Sequence, residues 1–223
     1  MHTRYQEWIR YVFDHPVSDR PWYFNINAPV FEATQADYAQ LICETFVRSG
    51  QDLREFTDAQ VNQGIWFLAS PSGSDFIFSL RDGDISVSQK VKGIRSIYDL
   101  YRNCFANRCT GTLAHIDEPG ASELNSICYM FWDVCPLSYL DEANDKAALE
   151  DAVFSVLEDT IRLPHGACIE AGLHGLGEMA SSYEHRVKEV INRFVRTARL
   201  DAALREYAEH AREGSICERS RIR

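Results

Sequence analysis

The sequence lacks long apolar runs: its longest, such as Gly64 to Ala69, falls far short of the roughly 20 residues that a membrane-spanning helix needs. Its first residues are charged and no apolar segment follows them, so no secretory signal is predicted. Basic residues are outnumbered, with 23 Lys and Arg against 33 Asp and Glu, and a net charge of −10 argues against nucleic-acid binding. We therefore expect a cytoplasmic protein that binds neither membrane nor nucleic acid.

Motifs for metal or phosphate binding are also missing. The seven cysteines contain no Cys-x-x-Cys pair, so they predict no zinc site and are expected to be reduced core thiols. Gly172, Gly175 and Gly177 follow no strand and are interrupted by leucines, which argues against a phosphate-binding loop. The motifs therefore assign no cofactor, no metal and no catalytic residue.

What the sequence does contain is a series of amphipathic helix patterns, in which apolar residues recur at helical spacing. Thr34, Thr57 and Ser122 are predicted to cap three of the helices at their N-termini. Residues 74–88 include an Asp-Gly pair that suits a hairpin. Because an isolated hairpin is only marginally stable, we predict a short helix and a turn there instead.

These patterns predict an all-α fold of stacked antiparallel helix pairs, in one helical-repeat domain over residues 1–214. Residues 1–33 supply an N-terminal helix and an aromatic connector. Residues 34–180 supply three helix pairs, and 183–213 supply two C-terminal capping helices, with a break between 180 and 183. Residues 215–223 are predicted to form a frayed tail.

An internal repeat supports the helix pairs. When the chain is shifted by 108 residues without gaps, two successive helix patterns fall on two later ones. Gly64 and Gly172 coincide, and a helical glycine, which costs about 1 kcal/mol relative to alanine, indicates close approach of a neighbouring helix. Asp37, Ala39, Leu41, Phe46, Val61, Ile65 and Leu68 coincide with Asp145, Ala147, Leu149, Phe154, Ile169, Leu173 and Leu176.

The segment Ala167–Gly177, with the helices before and after it, resembles a HEAT-type helical repeat, most strongly over residues 145–198. The resemblance implies a HEAT/ARM-like α–α superhelix, in which each helix pair buries its apolar face against its neighbours. It also implies an extended protein-binding surface and no enzymatic residues. The alternative is an ordinary helical bundle with two helices that are similar by chance.

The sharpest polar pattern is Glu170, His174 and Glu178, which lie one helical turn apart opposite the apolar face of their helix. Such a row would supply metal ligands, or a general base with its orienting acids. A solvated face with helix-spaced charge pairs has the same pattern and is the interpretation that we favour. The repeat aligns Asn62 and Trp66 with this row, so we predict that all five residues form a binding surface. Trp66 alternatively lies buried in the core.

Two functions remain open. The first is a non-enzymatic interaction protein that binds a protein partner through a helix face, and the acidic charge suits a basic partner, as for an inhibitor or immunity protein. The alternative is a small metal-dependent or acid–base enzyme that uses Glu170, His174 and Glu178. In that case, further polar residues such as His115 and Asp117 are expected to meet His174 in a cleft.

Overall fold

The computed structural model describes residues 3–216, and within this range the chain forms eight α-helices of ten residues or more, joined by loops and short helical turns. No strand occurs among these residues, which confirms the predicted all-α fold. From residue 217 onward the predicted frayed tail lies outside the described range. The helices are α1 (Arg4–Phe13), α2 (Gln35–Asp52), α3 (Asp58–Ala69), α4 (Val87–Leu100), α5 (Asn125–Val134), α6 (Lys146–Thr160), α7 (Gly166–Thr197) and α8 (Ala202–Glu213).

Local hydrogen bonds decide where helices α2 and α3 begin. The side chains of Thr34 and Thr57 each accept a hydrogen bond from the backbone N–H three residues later, which confirms both predicted N-caps. The prediction for Ser122 is wrong, because α5 begins only at Asn125. The N–H and hydroxyl of Ser122 both donate to the side-chain oxygen of Asn125, so these two residues shape the loop before the helix.

Short irregular segments connect and interrupt the helices. The predicted short helix within residues 74–88 is a 3₁₀ helix at Phe76–Leu80. Helix α4 continues into a π-helical turn at Tyr101–Phe105, and the following loop contains a 3₁₀ turn at Ala114–Ile116. The predicted break after residue 180 lies inside α7, where Tyr183 has non-helical dihedral angles (φ −133°, ψ 38°).

The helices pack in two rows. Helices α2, α4 and α6 contact one another in succession, and α3, α5 and α7 form a second succession. Helix α1 lies on α3 at one end, while α8 packs along α7 at the other. The two rows meet directly where α6 contacts α7. A HEAT-like repeat superhelix remains a prediction.

One continuous hydrophobic core fills the space between these helices. Glycines bring helices close together, as predicted: a Cβ atom on Gly64 would overlap the ring of Phe13, and one on Gly172 would lie 2.7 Å from the Ile161 side chain. The largest side chains in the core are those of Trp8, Trp132, Tyr101, Phe13, Phe46, Phe105, Phe131 and Phe154.

The six cysteines within residues 3–216 are buried free thiols, as predicted for the core, and Cys217 lies outside this range. Among the described helices, none combines the length and apolar content that crossing a bilayer requires.

Candidate functional site

Small residues of α7 bring α5 close enough to build a polar site. A Cβ atom on Gly175 would lie 2.7 Å from the indole of Trp132, so the absence of a side chain there permits close contact between α7 and α5. Helix α8 covers the same part of α7: a Cβ on Gly177 would lie 2.8 Å from Ile216, just after α8. Side chains from α5, α7 and α8 therefore meet around the middle of α7.

Glu170 on α7 is almost fully buried, with 1% of its surface exposed. Its carboxylate accepts hydrogen bonds from the backbone N–H groups of Ala114 and His115, at 2.9 and 2.8 Å. It also accepts one from the His115 ring, where Nδ1 lies 2.6 Å from Oε1. The expectation of a solvated face is wrong for Glu170 and His174, because the loop around Ala114 and helix α8 cover that side of α7.

A ring stack connects Glu170 to the next histidine. The His115 imidazole lies against the ring of Tyr207 on α8, with centroids 4.3 Å apart and planes inclined by 25°. The hydroxyl of Tyr207 is hydrogen-bonded to Nδ1 of His174 at 2.8 Å and to the hydroxyl of Tyr129 on α5 at 3.0 Å. His115 thus reaches His174 through Tyr207, whereas Asp117 lies outside this chain of contacts.

His174 is 4% exposed, and its burial lowers the pKa of the imidazole to about 4. Burial has this effect because a low-dielectric environment disfavours the charged form of the ring. The ring is therefore neutral at physiological pH and has one nitrogen with a lone pair. Nδ1 is hydrogen-bonded to Tyr207, whereas the buried Nε2 has no hydrogen-bond partner.

Two carboxylates lie beside this histidine. A carboxylate oxygen of Asp133, a ring nitrogen of His174 and a carboxylate oxygen of Glu178 all lie within 4.8 Å of one another. Nε2 of His174 is 3.7 Å from Oε1 of Glu178, which is too far for a hydrogen bond. Asp133 is exposed and Glu178 is partly buried, so the group opens towards solvent. Within the described part of the chain, it is the one set of three such groups arranged to hold a metal ion.

Asn62 and Trp66 lie on α3, and Asn62 contacts α5 near its first turn. Asn62 accepts a hydrogen bond from the hydroxyl of Ser126, which is two helical turns, roughly 10 Å, before Asp133. Trp66 is half-buried, which is intermediate between the two predictions for it. Asn62 and Trp66 line a cleft of about 460 Å³ together with the aromatic connector. Glu170, His174 and Glu178 are not among the residues that line this cleft. The predicted surface of all five residues remains a prediction.

The buried thiols form a separate cluster. Cys128 contacts both Cys109 and Cys168, and Cys168 also contacts His165. Contact with Cys128, together with the neighbouring His165, lowers the pKa of Cys168 to about 6 even though burial acts in the opposite direction. In residues 3–216 no three of these groups converge as metal ligands.

Sequence reasoning identified Glu170, His174 and Glu178, but it missed Asp133, Tyr129 and Tyr207. Tyr129 and Asp133 lie four positions apart on α5, a spacing that marks one helix face without showing what that face contacts. Comparisons of the chain with protein-family models, curated proteins and solved structures gave no match. The function is therefore inferred from the geometry alone.

Proposed function

We propose that the chain is a metal-dependent enzyme that binds a divalent transition-metal ion through Asp133, His174 and Glu178. The observation that supports this is the convergence of three ligand groups on a buried imidazole nitrogen without a hydrogen-bond partner. We therefore favour a metal-dependent enzyme over an interaction protein, with Asp133 in place of Glu170 beside His174 and Glu178.

The ligand types narrow the choice of metal. Imidazole and carboxylate together suit Zn²⁺, Mn²⁺ and Fe²⁺, whereas Mg²⁺ and Ca²⁺ prefer oxygen ligands alone. Three protein ligands leave a coordination position open, which is the arrangement of catalytic rather than structural zinc sites. A zinc ion held by these residues would lower the pKa of a bound water towards about 7, and that water would be the nucleophile for hydrolysis. Hydrolysis is therefore the reaction class that we propose.

Metal binding is tested first with the purified protein, by titrating Zn²⁺ or Co²⁺ in a calorimeter. We expect one ion per chain. Asp133→Asn is expected to weaken metal binding more than about 100-fold, because it removes a charged ligand. Loss of a residue that only hydrogen-bonds to a ligand already lowers metal affinity about 10–100-fold. Asp133 is exposed, so the variant is expected to fold normally.

Asp151→Asn is the matched control, since Asp151 is an exposed aspartate that pairs with Arg186 on the surface. Its affinity for the metal is expected to equal that of the wild-type protein. An unchanged affinity in Asp133→Asn, or no binding by the wild type, would refute the site.

Hydrolysis of activated ester and phosphate substrates, with and without the bound metal, then tests the reaction class. If no hydrolysis depends on the metal, the chain binds a metal but is not this kind of enzyme.

Protein binding is the second candidate, and the cleft beside Asn62 and Trp66 supports it. Tryptophans in such clefts are frequent hot spots, at which truncation costs about 2 kcal/mol or more of binding free energy. We expect tagged protein to capture a basic partner from its native lysate at low salt and to lose it at high salt. Trp66→Ala is expected to abolish the capture, whereas Val47→Ala, at an exposed apolar residue of α2, is expected to retain it. Capture that Trp66→Ala leaves intact would exclude the cleft as the binding surface.

A further inference from the structure

The surroundings of His174 indicate how a metal ligand is oriented. Of its two ring nitrogens, Nε2 is nearer the carboxylate of Glu178, at 3.7 Å, and Nδ1 is hydrogen-bonded to the hydroxyl of Tyr207, at 2.8 Å. A neutral imidazole carries one proton, so coordination through Nε2 requires that the proton be on Nδ1. Tyr207 is then the acceptor of the Nδ1–H hydrogen bond.

We infer that Tyr207 is a positioning residue of the metal site, which fixes the tautomer and the orientation of His174. The inference rests on the proposed metal-binding function. Histidine ligands of metals generally donate their other ring N–H to an oxygen in this way, which holds the ring in place and makes the ligating nitrogen more basic. The tyrosine hydroxyl remains able to donate its own proton to Tyr129, at 3.0 Å.

Buried contacts hold Tyr207 in position. The residue is 3% exposed on α8, the helix that packs along α7. Its ring lies on the His115 imidazole, which is fixed in turn by Glu170 at 2.6 Å. A rigid acceptor costs less entropy to align than a mobile one, so this support from Glu170 and His115 makes the Tyr207 hydroxyl a preorganised partner of His174.

The test is Tyr207→Phe, which removes the hydroxyl but keeps the ring that stacks on His115. We expect the affinity for Zn²⁺ or Co²⁺ to fall 10–100-fold, the usual loss when a partner of a metal ligand is removed. Tyr98→Phe is the matched control, because Tyr98 is a partly buried tyrosine on α4. It is expected to leave the affinity unchanged.

Nitrogen-15 spectra of the histidine rings report which ring nitrogen of His174 is protonated. A purely structural role of Tyr207 would leave that protonation unchanged. In the zinc-loaded wild-type protein, His174 is expected to show a protonated, exchange-protected Nδ1, and Tyr207→Phe is expected to lose that protection. If the variant is also less stable, the same spectra still distinguish loss of the Nδ1 hydrogen bond from a general loss of stability. Equal affinity and equal Nδ1 protection in the two proteins would overturn the inference while the proposed metal site stands. Failure of the wild type to bind metal would overturn both.

Discussion

Glu170→Ala is expected to lower the free energy of unfolding by about 3 kcal/mol or more, because it removes a buried carboxylate that accepts three hydrogen bonds. The carboxylate accepts three hydrogen bonds, two from the backbone at Ala114 and His115 and one from the His115 ring. Alanine leaves all three donors unsatisfied, and each unsatisfied buried donor costs about 1–3 kcal/mol where water is excluded. Urea denaturation followed by circular dichroism measures the change.

Glu189→Ala is the control for this loss. Glu189 is also a glutamate of α7, but it is exposed and pairs with Arg193 four residues later. Such a surface pair contributes about 0.3–0.5 kcal/mol, so the substitution is expected to change stability very little. A loss below about 1 kcal/mol in Glu170→Ala would show that the loop around Ala114 does not depend on this carboxylate.

Gly175→Ala is expected to destabilise the protein by up to about 2 kcal/mol, because overpacking costs about 1–3 kcal/mol and alanine regains roughly 1 kcal/mol of helix propensity. The added methyl group would lie 2.7 Å from Cγ of Trp132, a fully buried ring atom that has little room to move. Trp132 precedes Asp133, so a displacement of α5 also moves a proposed ligand. We therefore expect weaker metal binding as well, measured by the same calorimetric titration.

Gly111→Ala separates this steric effect from the general effect of replacing a glycine. A Cβ atom on Gly111 would have no atom within 4 Å. At such a position alanine stabilises a protein by about 0.4–1 kcal/mol, because it restricts the unfolded chain. If Gly175→Ala behaves like Gly111→Ala in both stability and metal affinity, close contact between α5 and α7 is not needed for the site.

Local interactions explain which parts of the fold were predictable. The caps at Thr34 and Thr57 depend on residues within three positions along the chain, so the sequence pattern identifies them directly. Ser122 also carries a side-chain hydroxyl in a suitable place, yet that hydroxyl bonds to the side chain of Asn125 rather than to the helix backbone. A competing local hydrogen bond of this kind is not apparent from the pattern alone.

The site was only partly predictable, and the reason is long-range packing. Helical periodicity places Glu170, His174 and Glu178 on one face of α7, but it does not show that α8 and the loop around Ala114 cover that face. The predicted solvation was wrong for the first two residues because these distant segments supply the hydrogen-bonding partners, Ala114, His115 and Tyr207. Asp133 was missed for the same reason, since its position beside Glu178 depends on how α5 packs against α7.

The positions of the ligands along the chain have a consequence for folding. Between Asp133 on α5 and Glu178 on α7 lies the whole of α6, so an ion held by these residues joins the two ends of a long loop. The bound ion acts as a reversible cross-link between the two ends of this loop. An unfolded chain would have to close the loop in order to bind the ion, and loop closure costs conformational entropy. The ion therefore binds the folded chain selectively. An ion that binds the folded state but not the transition state for unfolding stabilises the folded state alone, and it therefore raises the barrier to unfolding. The lifetime of the folded state would then depend on the concentration of free metal ion.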